Sequence, residues 1–260
     1  MKKSIYKFTI LGCGSSGGVP RIGNDWGKCD PKNPKNFRTR CCALIKSKNK
    51  NVLIDTSPDL KNQLIKNKIK NIHKVFYTHY HADQTHGINE LRLFFLKNRG
   101  PIDIYTDLST EKYLKKSFNY CFTKTSEYPP ILKINKLKNM HNYKDANISV
   151  NLKCFKVKHG NIDSICYIIN KKLAYASDIS DIYKKDLRHF KNLKYLVIDC
   201  LQYDPHPSHF CLKDVINLVK KVKPKKTILT NLNSRIDYNE VKKKLPKHII
   251  PAFDGLTLNF

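Results

Sequence analysis

The amino-acid sequence predicts an α/β protein of mixed strands with interleaved helices. Two patterns point to that class. Short apolar runs with strand character alternate with stretches whose apolar residues fall at helical spacing. Residues able to do chemistry recur directly after the strands. His79 follows VFYT, His159 follows FKVK, Asp178 follows AYAS, Asp199 ends YLVID, and Asn231 follows ILT. Strand ends of α/β sheets are where such folds put their sites, so five of them are expected to converge on one rim. A scatter of unrelated surface polars would show no such placement.

Taken in order, Ser4–Leu11 alternates enough for a first strand and runs into GCGSSGGVP, a glycine-rich turn. Residues 24–40 are polar, carry two prolines and read as an exposed loop. Cys42–Ser47 and Val52–Asp55 form a strand pair across a lysine-rich turn. A helix follows Pro58, with Leu60, Leu64 and Ile65 at helical spacing. His73–Tyr77 is a short strand that delivers a histidine cluster at its C-terminal end, and Gly87–Leu96 continues as an apolar helix. Ile102–Tyr105 is a strand and Leu108–Phe118 a helix. Ile148–Val157, Ser164–Asn170, Leu173–Ala176 and Tyr195–Cys200 are strands. Phe210–Val222 is an amphipathic helix, Thr227–Thr230 a strand behind it, and Leu245–Phe260 closes with short strand signals around AFDG. The 260 residues suit a single domain, 1–260, of two halves sharing a core, roughly 1–146 and 147–260.

Apolar residues make up 40% of the chain, enough for a buried core. The formal net charge is +28. Such a balance attracts nucleic acid, anionic membranes and phosphorylated substrates. Lysine recurs everywhere rather than in one block, the pattern that AT-rich coding leaves by drift. A preference for anionic substrates stands on either account. The nine cysteines are an odd number without a CxxC pair. Cys154, Cys166 and Cys200 sit inside apolar runs, as buried thiols do, so a reducing cytoplasm is expected rather than a disulfide framework. The opening MKKSIYKFTILGCG is interrupted by Lys7 and does not read as a signal peptide. No run approaches the roughly 20 apolar residues that cross a bilayer. Cys13, Cys29, Cys41 and Cys42 raise the thought of a structural zinc, but their spacings do not match one.

The densest chemistry lies in THYHADQTHG, Thr78–Gly87. His79 and His81 are two apart just beyond a strand, so both imidazoles can face one centre, and Asp83 adds an oxygen donor from the same loop. Neutral imidazole and carboxylate suit zinc and its neighbours. The bland alternative is a solvated loop of chance histidines, which the crowding of four such residues disfavours. Asp55, at the end of NVLID, either orients a ligand histidine from behind or merely starts the turn before Pro58.

These residues resemble the HxHxDH signature of the metallo-β-lactamase-fold hydrolases, here His79, His81, Asp83 and Gln84. The resemblance runs nearly end to end. It is carried further by LGCGSSGGVPR at Leu11–Arg21, LIDTSPDL at Leu53–Leu60, THYHADQTHGINELR at Thr78–Arg92, KHG at Lys158–Gly160, YASD at Tyr175–Asp178 and PAFDG at Pro251–Gly255. Within that superfamily the chain looks similar to the phosphoribosyl cyclic phosphate phosphodiesterases and the tRNase Z-like phosphodiesterases. The resemblance implies a four-layer αββα sandwich, with two mixed β-sheets inside and helices outside. It implies two metal ions: His79, His81 and His159 on the first, Asp83 and the residue at Gln84 on the second, and Asp178 bridging both. A final histidine of an LTH motif would complete the second site, but here the motif reads LTN and Asn231 takes its place.

Both departures fall on the second ion. The first site keeps three nitrogens and a carboxylate and is expected to hold Zn²⁺. The second is left with Asp83, Asp178 and the side-chain oxygens of Gln84 and Asn231 as neutral donors. Such an all-oxygen set is expected to be weak or absent, or to take Mn²⁺ or Mg²⁺. His86 is a candidate substitute ligand from the same loop. In family position His209, within DPHPSHF, lies near the leaving group, where a histidine can give a proton. His206 is the alternative. The glycine-rich turn at Gly14, Ser15 and Ser16 either presents backbone N–H groups to a phosphate or only turns the chain.

The expected activity is metal-dependent hydrolysis of a small or cyclic phosphate ester by a metal-activated hydroxide, with Asp83, Asp178 and His209 as catalytic residues. The same fold also admits a tRNA 3′-processing endonuclease, a thioester or lactone hydrolase, or a degenerate domain that binds nucleotide or RNA. No glycine- and proline-rich arm of the kind that grips tRNA is found, so nucleic acid is not the favoured partner. Retention of His79, His81, Asp83, His159 and Asp178 argues against decay. A soluble cytoplasmic enzyme, not bound to membrane and assembling as a dimer, completes the expectation.

Overall fold

The computed structural model describes residues 6–137, 142–145 and 150–260. The starts of two expected strands, at Ser4 and Ile148, lie outside the described residues. One seven-stranded sheet holds β1 (Lys7–Gly12), β2 (Cys42–Ser47), β3 (Lys50–Ile54), β4 (Lys74–Phe76), β5 (Ile102–Thr106) and β6 (Leu132–Lys136) in chain order, with β14 (Thr257–Asn259) beside β1. The other holds β7 (Asn142–Asp145), β8 (Val150–His159), β9 (Ile162–Ile169), β10 (Leu173–Ala176), β11 (Tyr195–Asp199), β12 (Lys226–Thr230) and β13 (Ile249–Pro251). Each sheet is mixed. β3 through β6 run parallel, as do β10 through β13, while the remaining neighbours are antiparallel.

The period-two alternation of strand side chains builds the layers. In β2, Ala43 and Ile45 turn into the core between the sheets, and Cys42 and Leu44 turn to the outer face. In β10, Leu173 and Tyr175 face the central core while Ala174 and Ala176 face away. The outer face of the first sheet is covered by α1 (Leu60–Lys66), α3 (Arg92–Asn98) and α4 (Leu108–Ser117), through Leu60, Leu64, Phe94 and Leu114. The second sheet is covered by α5 (Leu212–Val222) and α6 (Tyr238–Lys244). Val215, Leu218, Val219 and Val222 recur on one side of α5, and Val241 comes from α6. The result is the expected four-layer αββα sandwich.

Several local expectations change. Gly87–Leu96 is not one helix. α2 (Ala82–Thr85) is a single turn, a 3-10 turn follows at Ile88–Leu91, and α3 starts at Arg92. The cause is a tether: Gly87 N–H donates to Thr56 O at 2.9 Å, and Thr56 N–H donates to Gln84 O at 2.8 Å. Ile65 is 67% exposed, because Leu60 and Leu64 already bury the inner face of so short a helix. β6 and β7 had no strand signal. The sheets also do not follow the division at 146: β7 pairs with β8, and β14 returns to β1. No helix among the described residues is long and apolar enough to cross a membrane.

Candidate metal centre

The site lies where β4, β8, β10, β11 and β12 end, and it is built outward from backbone anchors. Just beyond β4, Thr78 is held from two directions. Its N–H donates to Asp55 Oδ1 at 2.7 Å and its hydroxyl donates to Asp55 Oδ2 at 2.9 Å. The same hydroxyl oxygen is 3.0 Å from His79 Nδ1. Since the Thr78 proton goes to Asp55, the oxygen accepts from His79 Nδ1–H, and Nε2 is left bare. His79 Nε2 is buried without a hydrogen-bond partner. Asp55 therefore acts on His79 through Thr78 rather than directly.

His159 is fixed by similar logic from the opposite sheet. It ends β8, and its Nδ1 donates to the Ser208 carbonyl at 2.7 Å. Its Nε2 then faces His81 Nδ1 at 3.3 Å. The next residue, Gly160, has a φ of +59°, and a Cβ there would sit 2.8 Å from Ser208 Cβ. Only glycine lets the 208 loop come this close. His81 stands at the N-terminal cap of α2. One donor atom from each of His79, His81 and His159 falls within 4.8 Å of the others, and a second such group joins His159, Asp178 and His209.

Charge sorts these histidines. Burial lowers His79 to about 3, despite the opposing pull of Asp178. Burial also lowers His81 and His159, and each is lowered further by the charge of neighbouring histidines. Three neutral imidazoles result, which is the form that ligates metal. His209 behaves oppositely. Burial would lower it, but the hydrogen bond to Asp199 and the charges of Asp199, Asp178 and Asp83 outweigh that and raise it to about 9. Its Nδ1 lies 2.7 Å from Asp199 Oδ2, which also accepts from Ile179 N–H at 3.0 Å. With Nδ1 engaged by Asp199, His209 has Nε2 left for the cavity that it lines. Asp178 is fully buried; that opposes its charge, yet His79, His159 and His209 hold it below the usual carboxylate range. Burial, then Asp178, push Asp83 up.

The orphaned His79 Nε2, the neutral rings and the ionised Asp178 together fit a divalent metal, with His79, His81, His159 and Asp178 as its ligands. Gln84 and Asn231 are also at the centre, both buried. Gln84 Nε2 donates to Asp83 Oδ2 and Asp178 Oδ2, and Asn231 Nδ2 donates to Asp178 Oδ1. They turn nitrogen, not the expected oxygen, toward the carboxylates. His86 is elsewhere: its Nε2 lies 2.9 Å from Tyr113 Oη, and its ring meets Phe118 edge-on.

The cluster opens into a cavity of about 670 Å³. His206, Ser15 and Ser16 line it, as do the exposed cations Arg21, Lys28 and Arg235. Gly14 does not line it, and Gly17 does. Gly14 instead bridges Arg40 and Leu232, and a Cβ there would lie 2.8 Å from Arg38 O. The glycine turn is clamped by Asp254, which accepts from Cys13 N–H at 3.1 Å, Thr39 N–H at 2.8 Å and Thr39 Oγ1 at 2.6 Å. Sequence reasoning missed Thr78, Ser208 and the three cations. Thr78 was detectable as a hydroxyl beside a ligand. Ser208 acts through its carbonyl, which leaves no side-chain signal. The four N-terminal cysteines do not converge: Cys13 meets Asp254, Cys29 the carbonyls of Ser234 and Ile236, Cys41 Thr230, and Cys42 the Asp55 carbonyl.

Comparison with known proteins agrees with this architecture. A family model described as a beta-lactamase superfamily domain matches residues 50–230. The solved structure of a diphosphatase from the PhnP family superposes with a TM-score of 0.90 at 29% identity, covering 98% of this chain and 97% of that one. Human tRNase Z, short form, superposes at 0.71 with 17% identity, over 97% of this chain and 98% of that one, a likeness of fold alone. An octanoyltransferase of Porphyromonas gingivalis (strain ATCC BAA-308 / W83) is 28% identical over 252 residues, 95% of this chain and 50% of that protein. The chain thus spans about half the length of that curated relative. With a family match over most of its length and the same layers of sheet and helix, the chain belongs to the beta-lactamase superfamily and has the metallo-β-lactamase fold.

Proposed function

We propose that the protein is a metal-dependent phosphodiesterase that cleaves a small anionic phosphate ester. The observation that carries this reading is the convergence of histidines on one cavity: His81, His159 and His209 line it, His79 is buried behind them, and His209 alone is held by a carboxylate, Asp199. A bound divalent cation there supplies a Lewis acid and lowers the pKa of its water from about 16 to about 7. Zn²⁺ suits the nitrogen-rich set. The chain's own residues do the rest. Asp178 orients the attacking water, and Asp83, whose carboxyl burial pushes up, takes up its proton. His209, with Nδ1 committed to Asp199, has Nε2–H left for the leaving alkoxide. As the bond from phosphorus to the ester oxygen breaks, that oxygen takes the proton and departs as an alcohol. His206, Ser15 and Ser16 line the space for the rest of the substrate.

Arg21, Lys28 and Arg235 support an anionic substrate, since guanidinium and ammonium groups bind phosphate oxygens. They also support a second anionic group beyond the scissile phosphate, in line with the name of the PhnP-family diphosphatase relative. Octanoyl transfer is not carried over to this chain. All nine cysteines are buried and none lines the cavity, and burial pushes the Cys13, Cys41 and Cys42 thiols up, so the cavity offers no attacking thiolate. The test is hydrolysis of bis(p-nitrophenyl) phosphate and of a diphosphate-linked ester, with Zn²⁺, Mn²⁺ or Mg²⁺ added. Turnover is expected, and His81→Ala is expected to abolish it while the circular dichroism stays native. Retained turnover in that variant would refute the assigned centre. No turnover with any metal, alongside tight RNA binding, would replace catalysis with a binding role.

A further inference from the structure

Two carboxylates beside each other need a cation or hydrogen-bond donors between them. Here donors provide it. Gln84 Nε2 lies 3.2 Å from Asp83 Oδ2 and 3.1 Å from Asp178 Oδ2, so one amide group joins the pair. Asn231 Nδ2 lies 3.1 Å from the other Asp178 oxygen. We propose that this is a one-metal centre, in which the Gln84 and Asn231 amides take the place of a second ion. The proposal rests on the reading that His79, His81 and His159 hold a metal. It adds that nothing further is bound beside it.

The two ends of a carboxamide make the alternatives exclusive. Gln84 gives both contacts through nitrogen, and its Oε1 is buried without a partner. Turning the amide over would aim that oxygen at Asp83 and Asp178, three acceptors facing one another. Only a cation among them would make that arrangement stable. The described geometry is the other one, with the Gln84 N–H groups toward both carboxylates. Asn231, on the sheet opposite Gln84, reaches Asp178 as well, and the same Nδ2 lies 3.2 Å from His209 Nδ1. Asn231 follows β12 at a φ of +60°, a conformation asparagine adopts more readily than most residues. Two residues far apart in sequence, on loops of different sheets, thus make the same substitution of amide for ligand around Asp178. Each Asp178 oxygen has a lone pair left for the first metal, so the amides do not compete with it.

Metal counting tests this without relying on turnover. The wild-type chain, prepared without chelator and equilibrated with excess Zn²⁺ or Mn²⁺, is desalted and weighed by native mass spectrometry. One ion per chain is expected with either metal. The double variant Gln84→His/Asn231→His is expected to hold two Zn²⁺. If that variant fails to fold, Gln84→Glu, which exchanges a donor for a carboxylate of similar shape, is expected to gain a second Mn²⁺. Two retained ions in the wild type would overturn this inference and leave the functional reading standing. No retained ion with either metal would overturn the functional reading and this inference with it. One ion in the wild type and still one in every folded variant would overturn the role given to the amides.

Discussion

At the residue scale, the centre depends on groups that never touch substrate. Thr78 is the clearest. Its single hydroxyl proton goes to Asp55, so its oxygen can only accept from His79 Nδ1–H, which turns His79 Nε2 toward the centre. Groups that orient metal-bound histidines typically contribute 10–100-fold in metal affinity. Thr78→Val keeps the branched shape and removes the relay. It is expected to weaken Zn²⁺ binding by about 10–100-fold in a competition titration with a chromophoric chelator. Its thermal melting in the absence of metal is expected to shift far less than its affinity. Unchanged affinity would show that packing alone sets the ring. The histidines and Asp178 were legible because ligand chemistry restricts residue type and the strands restrict position. Gly14, His86 and the facing of the Gln84 and Asn231 amides were not, because each turns on which neighbour a distant loop brings near.

At the scale of elements, residues 24–40 show how an apparently exposed loop is made part of the scaffold. Asn36 and Arg38 within it are buried. Arg38 Nη1 donates to Asn233 O at 3.2 Å and Nη2 to Asn36 Oδ1 at 3.1 Å, while Asn36 Nδ2 donates to Asp237 Oδ2. Asp237 also accepts from Asp30 N–H at 3.1 Å and caps α6 by accepting from Asn239 and Glu240 N–H at 2.9 Å. One carboxylate therefore ties the segment before Arg38 to α6, and both flank residues of the cavity wall. Losing a helix cap costs about 0.5–2 kcal/mol, and orphaning a buried Asn36 donor adds to it. Asp237→Ala is expected to lose about 2 kcal/mol in urea denaturation at pH 7. The pH dependence has a fixed sign. Burial opposes the Asp237 charge, but its four N–H donors outweigh that and hold the carboxyl below the usual range. Its contribution is complete above the ordinary carboxylate value, about 4. It is lost as pH falls through the lower folded value. The gap between wild type and variant should therefore hold down to about pH 4 and narrow as pH falls below it. A gap that stays constant with pH would assign the loss to packing. Hydrophobic periodicity made the main strands and α5 legible, but it carries no signal for polar tethers of this kind. It therefore could not foresee the anchored loop or the break after Gly87.

For the whole molecule, the unresolved quantity in the sequence is what the +28 charge does. The fold separates its parts. Because β11 and β12 are parallel neighbours, α5 between them runs back from the site. Lys220, Lys221 and Lys225 thus lie at the end of the sheet opposite the cavity, whereas Arg21, Lys28 and Arg235 line it. At physiological ionic strength the screening length is about 8 Å. If attraction is local, only the second set matters. Two triple variants, each changing every named cation to glutamine, remove the same net charge. The cavity triple is expected to lower kcat/KM on a phosphate ester by about 10–100-fold, since charge-assisted hydrogen bonds contribute about 1.5–3 kcal/mol each and not all are made at once. Its kcat/KM should also fall less steeply with added salt. The distant triple is expected to stay within about twofold at 0.15 M salt. Equal losses in both would mean that the charge acts as a general field over the surface. No loss in either would leave the lysine-rich composition without a part in substrate capture.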